Sequence, residues 1–421
     1  MQVCVVGVNY RTTPVVIRGR LAIGTSQLQD ALLSLHNYVH QGIILCTCNR
    51  TEVYTVVEEG APSESATIDF LSARANLSPT ELRQHVYVYH GEAAVKHLFR
   101  VAAGLDSMII GEFEILGQVR RALEEAEKSG LAGLPLLSLL RYAVRVGRRV
   151  RTETDISKSA LSVSSAAVDF AARVVGDIKR CKIVVIGAGE AGKLVAKASR
   201  QRGASQIVVV SRSREKGIEL AEMLHGKWVA MENLEEQLAA CDIAISCTGA
   251  PHTVLKLETV QSVMSLHPEH PLVIIDIAVP PDVESGVKQV NNVFLYDIDE
   301  LTKICDSNYN QRMDEIHTAT EVVDDELERF MSDWQELEVR PIIAALVEKA
   351  EGIRQAQLGL TLKKLPQLSE EELSHLEAMT KAIVNKMLRE PIQCLKNGHS
   401  KREDYIRALS ELFRLDGKKP R

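Results

Sequence analysis

Ile183-Val184-Val185-Ile186-Gly187-Ala188-Gly189-Glu190-Ala191-Gly192 decides the fold at the centre of this chain. Four aliphatic residues run straight into a G-x-G-x-x-G turn, and Lys193-Leu194-Val195-Ala196 then begins a helical pattern. Strand, glycine turn and helix in that order form a dinucleotide-binding unit. The first glycine makes the turn, the second admits a pyrophosphate, and the third lets helix and strand pack closely. Apolar runs follow at Ile207-Val208-Val209-Val210, Ile243-Ala244-Ile245 and Leu272-Val273-Ile274-Ile275, with helical segments between them, so a Rossmann domain is predicted over residues 156–295. After the second strand, where an NAD-selective fold carries an acid, the chain reads Ser211-Arg212-Ser213-Arg214. A cation there suits the 2′-phosphate of NADP, so NADPH is the expected cofactor, bound by Gly187, Ala188, Gly189, Glu190, Ala191, Gly192, Ser211 and Arg212.

Upstream, residues 1–155 read as an α+β domain. Val3-Cys4-Val5-Val6-Gly7-Val8, Ile43 to Leu45 and Val53 to Val57 predict strands, and Thr12-Thr13-Pro14 predicts a helix start. The run Gly42-Ile43-Ile44-Leu45 leads into Cys46-Thr47-Cys48-Asn49-Arg50-Thr51-Glu52. A buried strand can hold a thiol rigidly at its open end, and a guanidinium two residues on can bind a carboxylate or steady a thiolate, which makes Cys48 a candidate nucleophile. Taken alone, such a cysteine is more often a small core residue. From Glu92 to Ser164 the pattern is helical, and Arg141, Arg145, Arg148 and Arg149 share one helix face, a basic stripe dense enough to suggest phosphate contacts.

Downstream, no glycine or proline interrupts the chain between Tyr296 and Pro341. Tyr309, Met313, Ile316, Thr320, Val323, Leu327, Phe330, Trp334 and Leu337 alternate in steps of four and three, the seam of one long spinal helix over 296–340 that must bury that face. Further helical segments in 341–421 read as an all-α dimerisation domain.

Size and composition set the outer limits. The 421 residues, 45% hydrophobic, supply several cores, and about 150 residues per domain predicts two to four domains. No apolar run reaches the roughly 18 residues of a membrane span, and Met1-Gln2-Val3-Cys4 lacks the cationic start of a signal peptide, so a cytoplasmic enzyme with no membrane association is expected. The eight cysteines show no Cys-x-x-Cys pairing, which reads as reduced thiols and no metal site. A net charge of −6 gives no global attraction to nucleic acid, leaving any such contact to the local stripe.

A nucleophilic thiol in one domain and NADPH in another point to a two-step acyl reduction. The thiol captures an activated acyl group as a thioester, and hydride then releases an aldehyde, because a free carboxylate is too electron-rich to accept hydride. Since the chain carries no Walker-type loop, the acyl donor must arrive activated, as an acyl phosphate or an aminoacyl ester on tRNA, and the arginine stripe favours the latter.

These residues resemble the glutamyl-tRNA reductase family of the bacterial type nearly end to end. The resemblance rests on Thr47-Cys48-Asn49-Arg50-Thr51-Glu52-Val53-Tyr54, His97-Leu98-Phe99-Arg100, Gly104-Leu105-Asp106-Ser107-Met108, Gly111-Glu112, Ile115-Leu116-Gly117-Gln118, Arg148 to Thr154, Gly187 to Gly192, Asp276-Ile277-Ala278-Val279-Pro280 and Tyr296-Asp297-Ile298-Asp299. It implies NADPH-dependent reduction of glutamyl-tRNA(Glu) to glutamate-1-semialdehyde, the first committed step of tetrapyrrole synthesis from glutamate. It further implies a V-shaped homodimer that passes its product to glutamate-1-semialdehyde aminomutase. Cys48 is then the nucleophile and His97 a histidine important for activity, one that at a near-neutral pKa protonates the departing ribose oxygen or deprotonates the thiol. Thr47, Asn49, Arg50, Ser107, Glu112, Phe113, Glu114 and Gln118 are the implied substrate-binding residues, Arg50 by a bidentate grip on a substrate carboxylate.

Three positions depart from the family pattern. Cys46 stands where serine is usual, and on an extended strand it points to the same side as Cys48, disposing the pair to oxidation. Glu114 replaces a usual glutamine and adds negative charge beside a glutamyl substrate, and Arg18-Gly19-Arg20 replaces the common Arg-Glu. The residues alone leave two rival readings open: a shikimate-type NADP-dependent dehydrogenase in which Cys48 is dispensable, and a non-catalytic dimeric regulator that binds nucleotide or tRNA.

Overall fold

A computed structural model describes residues 2–24, 27–57, 63–157, 163–266, 268–305, 313–365, 368–397 and 402–415; Tyr309 of the heptad seam lies outside them. The chain divides into two compact units, Met1–Leu327 and Glu328–Arg421.

The first unit holds two sheets. In the N-terminal one, β1 (Gln2–Asn9), β2 (Gly42–Cys46), β3 (Arg50–Val57) and β4 (Tyr87–His90) lie antiparallel in the order β2-β3-β1-β4. Val3 to Val8 are all buried except for the glycine's lack of a side chain, so β1 has covering layers on both faces, as its unbroken apolar run requires. Helices Gly91–Ala103, Glu114–Ser129 and Leu134–Glu153 pack against one another beside this sheet, each with an apolar stripe inward.

The second sheet is parallel throughout: β5 (Lys182–Ile186), β6 (Gln206–Ser211), β7 (Lys227–Ala230), β8 (Ile243–Ser246), β9 (Leu272–Asp276) and β10 (Val293–Asp297), ordered β10-β9-β8-β5-β6-β7. The order reverses between β5 and β8, which opens a crevice beyond their carboxyl ends, where ligands of doubly wound sheets bind. Separate apolar cores cover the two faces, one including Ala167, Val185, Val209 and Ile275 and the other Val184, Val210, Ala244 and Ile274, so alternate residues of each strand serve opposite layers. This is the expected Rossmann architecture.

The spinal helix differs from its reading at both ends. Ile298–Cys305 is a separate helix that buries Ile298 and Leu301, the latter in the Rossmann core, so local packing claims the first turns. The long helix runs Met313–Lys364 and passes through Pro341. Proline removes one backbone hydrogen bond, and the buried Val339 and Leu346 on either side keep the helix continuous across that gap. Its seam holds from Val323 through Leu327 and Phe330 to Trp334, all buried, whereas Ile316, Thr320 and Leu337 are half-buried and Met313 is exposed. In the second unit this helix is followed by Glu370–Asn397 and Arg402–Leu412, which pack on each other. Among the described residues no helix is long and apolar enough to cross a membrane.

Candidate active site

Cys48 sits at the tip of the β2–β3 hairpin, and the turn is built by its neighbours. The Thr47 backbone N–H donates to the Arg50 carbonyl at 2.8 Å, and the Thr47 hydroxyl oxygen accepts from the N–H groups of Asn49 at 3.0 Å and Arg50 at 3.1 Å. A hydroxyl that satisfies two turn amides locks the loop without any regular ladder. Because β2 ends at Cys46, the two-residue alternation does not carry to Cys48, which corrects the expected Cys46–Cys48 alignment. The Cys46 sulfur instead accepts from the Ile23 N–H at 3.1 Å and lies 3.3 Å from the Thr51 hydroxyl.

Below the hairpin lies a buried charge cluster centred on Glu52, a residue the sequence reading passed over. Its carboxylate accepts from Arg50 Nη1 at 2.7 Å, Tyr54 OH at 2.6 Å, Tyr87 OH at 2.5 Å and His97 Nε2 at 2.9 Å. Burial would raise its pKa, but Arg50 and His97 outweigh burial and hold it well below the carboxylate range. The other His97 nitrogen faces Asp106 at 3.6 Å, and Asp106 is gripped by Arg100 at 3.0–3.3 Å. Burial would lower the His97 pKa, yet Glu52 and Asp106 raise it above its ordinary value. His97 is thus held between two carboxylates that favour its protonated form. Arg50 is likewise committed, to Glu52 and to the Asp106 carbonyl, so it reaches a substrate only with its remaining N–H groups.

The groups acting on Cys48 are different ones. Burial first, then the charges of Glu112 and Glu114, push its thiol up to about 12, while Arg18 pulls the other way. The cation near the sulfur is therefore Arg18 rather than Arg50. Glu112, buried and beside Glu114, is itself pushed up to about 7. Its carbonyl oxygen accepts from Arg151 Nη2 at 2.7 Å, and Arg151 also donates to the Ala102 and Gly147 carbonyls, so a single half-buried guanidinium fixes the turn that presents Glu112. Ser107 is buried beside the Glu112 carboxyl, whose pKa its side chain pulls down against the effect of burial. Glu114 opens the Glu114–Ser129 helix, with Gln118 one turn further along the same face. Phe113 points outward, 62% exposed.

The glycine turn fits a dinucleotide. Gly187 has φ +117°, a left-handed backbone, and a side chain there would meet the Cys247 carbonyl at 2.9 Å; one on Gly192 would meet the Gly187 carbonyl at 2.2 Å. A methyl group on Gly189 would meet nothing within 4 Å, so the space a pyrophosphate needs is open. Ala188 is buried under the turn, the Ala191 carbonyl accepts from Ser164 at 3.3 Å, and Glu190 is exposed at the helix start. Arg212 is exposed, as a phosphate contact requires. The Ser211 hydroxyl is instead used internally, donating to the Ser213 carbonyl at 2.9 Å and accepting from Trp228 at 3.1 Å. Glu190 also raises the pKa of Glu114, placing the glycine turn within electrostatic reach of the loop that presses on Cys48.

The arginine stripe is largely neutralised from within. Arg145 and Arg149 reach the buried Glu326 at 2.7 and 3.1 Å and Arg141 pairs with Glu127 at 2.6 Å, so part of the stripe anchors the long helix, while Arg148 is exposed.

A half-buried thiol on a hairpin tip near two carboxylates, within one compact unit with a dinucleotide turn, defines the class as a thiol-bearing oxidoreductase built on a Rossmann domain. Residues 6–154 match the family described as glutamyl-tRNAGlu reductase, N-terminal domain, residues 169–304 that of shikimate / quinate 5-dehydrogenase, and residues 318–415 that of glutamyl-tRNAGlu reductase, dimerisation domain. The chain is 39% identical over 416 residues to the glutamyl-tRNA reductase of Roseiflexus sp. (strain RS-1), covering 99% of this chain and 97% of that one. It is 40% identical over 420 residues to the one from Geobacter metallireducens, covering 99% and 96%. The solved glutamyl-tRNA reductase of Methanopyrus kandleri superposes with a TM-score of 0.52 at 32% identity, covering 99% of both chains. The chain belongs to the glutamyl-tRNA reductase family and is an enzyme of that type. The dehydrogenase match spans only the nucleotide-binding segment, flanked by the other two, which removes the rival reading of the whole chain as a shikimate-type enzyme.

Proposed function

We propose that this enzyme reduces glutamyl-tRNA(Glu) to glutamate-1-semialdehyde with NADPH, through a thioester on Cys48, as a cytoplasmic homodimer acting in the first step of tetrapyrrole synthesis. In this reading the product passes to glutamate-1-semialdehyde aminomutase. The observation that carries it is the placement of Cys48 on a rigid hairpin tip under the charges of Glu112 and Glu114, with Glu114 in turn sensing Glu190 of the glycine turn.

The chemistry follows from the charges. An aminoacyl ester carries a free α-ammonium group, and Glu112 with Glu114 forms an anionic receptor for it. Pairing with that cation removes the push of both carboxylates on the sulfur, so substrate binding itself lowers the Cys48 pKa toward the thiolate. The thiolate attacks the ester carbonyl, the carbon–oxygen bond to the ribose breaks, and the tRNA oxygen leaves with a proton. Thr47, Asn49 and Ser107 offer hydrogen bonds around the acyl group, with Phe113 and Gln118 at the rim, and the remaining N–H groups of Arg50 face the side-chain carboxylate. Arg212 and the Gly187 to Gly192 turn would hold NADPH, which when bound would supply hydride to the thioester carbonyl, and Cys48 would leave as thiolate and take up a proton. His97, its pKa raised by Glu52 and Asp106, is the residue that protonates the departing ribose oxygen or helps deprotonate the thiol.

Incubation with glutamyl-tRNA and NADPH tests the reading. Semialdehyde is expected from the parent and none from Cys48→Ser, while equal rates in the two would remove the thioester route.

A further inference from the structure

Arg18 is buried on the short Val15–Leu21 helix, and its guanidinium joins three separate parts of the chain. Nε donates to the Thr13 carbonyl at 3.1 Å, anchoring the group to its own loop. Nη1 donates to the Cys48 carbonyl at 3.2 Å and to Asn49 Oδ1 at 3.4 Å, gripping the hairpin tip. Nη2 pairs with the Asp299 carboxylate, which stands in the first turn of the helix that follows the last Rossmann strand. The next residue, Gly19, lies against the Rossmann loop after β9, where a methyl group would meet Pro280 Cβ at 2.9 Å and Cα at 3.1 Å. That loop is held firm from beneath. Asp276 accepts from the N–H groups of Ala278 and Val283, and Asp282 accepts from the Ser246 hydroxyl and the Thr248 N–H. The loop lies at the carboxyl ends of β8 and β9, beside the crevice of the sheet. A rigid Rossmann edge, a glycine that lets it approach, and a buried cation touching both that domain and the nucleophile's backbone are thus stacked in one place.

We propose that Arg18 is a positioning residue that fixes the backbone of Cys48 only while the nucleotide-binding domain is seated against the N-terminal domain, with Asp299 as the reporter of that seating and Gly19 as the residue that permits it. The physical reason is the buried charge. With Asp299 in place, Arg18 is compensated and keeps both bonds to the hairpin tip. With Asp299 withdrawn, an unpaired guanidinium in a buried site relaxes toward water and releases the Cys48 carbonyl. The acyl group on sulfur is then held in line when the domain that carries the hydride donor is docked, and is loosely held when it is not. This rests on the thioester reading above for its catalytic consequence, though not for the mechanical link.

Two variants, Asp299→Asn and Gly19→Val, test it by two readouts. The first is amide hydrogen exchange at residues 47–50, which is expected to accelerate at least about threefold in both variants although neither substitution lies in the hairpin. The second is the fate of the Cys48 thioester: formation with NADPH withheld stays near the parental rate, while the yield of semialdehyde per thioester drops at least ~tenfold, the balance appearing as free glutamate by hydrolysis. Unchanged exchange at 47–50 in both variants, or an unchanged ratio of semialdehyde to glutamate, overturns the proposal. Absence of any thioester in the parent would overturn the reaction instead, and the exchange measurement alone then decides the Arg18 link.

Discussion

Glu52 joins Arg50, Tyr54, Tyr87 and His97 through one fully buried carboxylate, and its removal leaves Arg50 an uncompensated charge. Glu52→Gln is therefore expected to lower unfolding stability by about 3–5 kcal/mol, as measured by urea denaturation at pH 7. The two ionised partners give opposite pH signs. Glu52 is held low, so its contribution is present above its unfolded pKa and lost as pH falls through the folded one. His97 is held high, so its contribution is complete below its ordinary 6.5 and lost as pH rises through the raised folded value. Glu112 behaves otherwise, since a carboxyl pushed up to about 7 carries a charge at pH 8 that the fold opposes. Glu112→Gln is expected to be more stable than the parent at pH 8 by about 2–3 kcal/mol, with the gap closing below about pH 4.5. The same substitution removes a negative neighbour of Cys48, so carbamidomethylation of that thiol at pH 8 should speed up several-fold; no change would show that Glu112 does not reach the sulfur. Thr47, Cys48 and Arg50 were legible in the sequence because the turn is local. Glu52 was half-legible, since it shares a strand face with Arg50 two residues earlier. Asp106 and Asp299 were not legible, because contacts such as Arg18–Asp299 span 281 residues and leave no local pattern.

At the scale of elements, the glycine turn separates two roles that the same G-x-G-x-x-G spacing hides. Gly192→Ala drives a methyl group into the Gly187 carbonyl, a backbone atom that cannot step aside, and should cost about 3 kcal/mol of unfolding stability. Gly189→Ala meets no protein atom, so stability should stay near the parental value while NADPH affinity, read by fluorescence titration, drops at least ~tenfold as the methyl group takes the pyrophosphate's place. A stable Gly192→Ala protein, or a Gly189→Ala protein with parental affinity, would contradict this division. The strands were readable because each apolar run is buried on both faces, a demand few other structures satisfy. The helical segment after Tyr296 was harder. Its periodicity is continuous in sequence, whereas the structure gives Leu301 to the Rossmann core and carries the later helix past Pro341. Helical spacing predicts that a face will be buried but not which core will bury it. The arginine stripe carried the same ambiguity, as four cations on one face suit phosphates or carboxylates equally, and Glu326 lies nearly two hundred residues away in sequence, too far to be noticed.

For the whole molecule the outstanding physical fact is an uncovered apolar row. On the Glu370–Asn397 helix, Met379, Ile383 and Met387 follow at steps of four and are 53%, 50% and 72% exposed, so one face presents large apolar side chains to water. Contiguous apolar surface of that kind is uncommon on monomers and costs about 25 cal/mol for every Å² left wet. The row falls within the segment matching a dimerisation domain, and a closed two-fold pairing would cover it on both chains at once, since an isologous interface uses the same patch twice. Light scattering on the parent should therefore give twice the 46.5 kDa of one chain, and Ile383→Asp with Met387→Asp should give the single-chain mass at micromolar concentration, because pairing would bury unpartnered carboxylates in an apolar interface. The first unit contains the thiol and the dinucleotide turn, so the variant should keep the parental rate of Cys48 alkylation and parental NADPH affinity, which distinguishes lost pairing from lost folding. A variant that still shows twice the mass would move the interface to the Ile353 and Leu360 side of the preceding helix, where two further exposed aliphatic residues share a face.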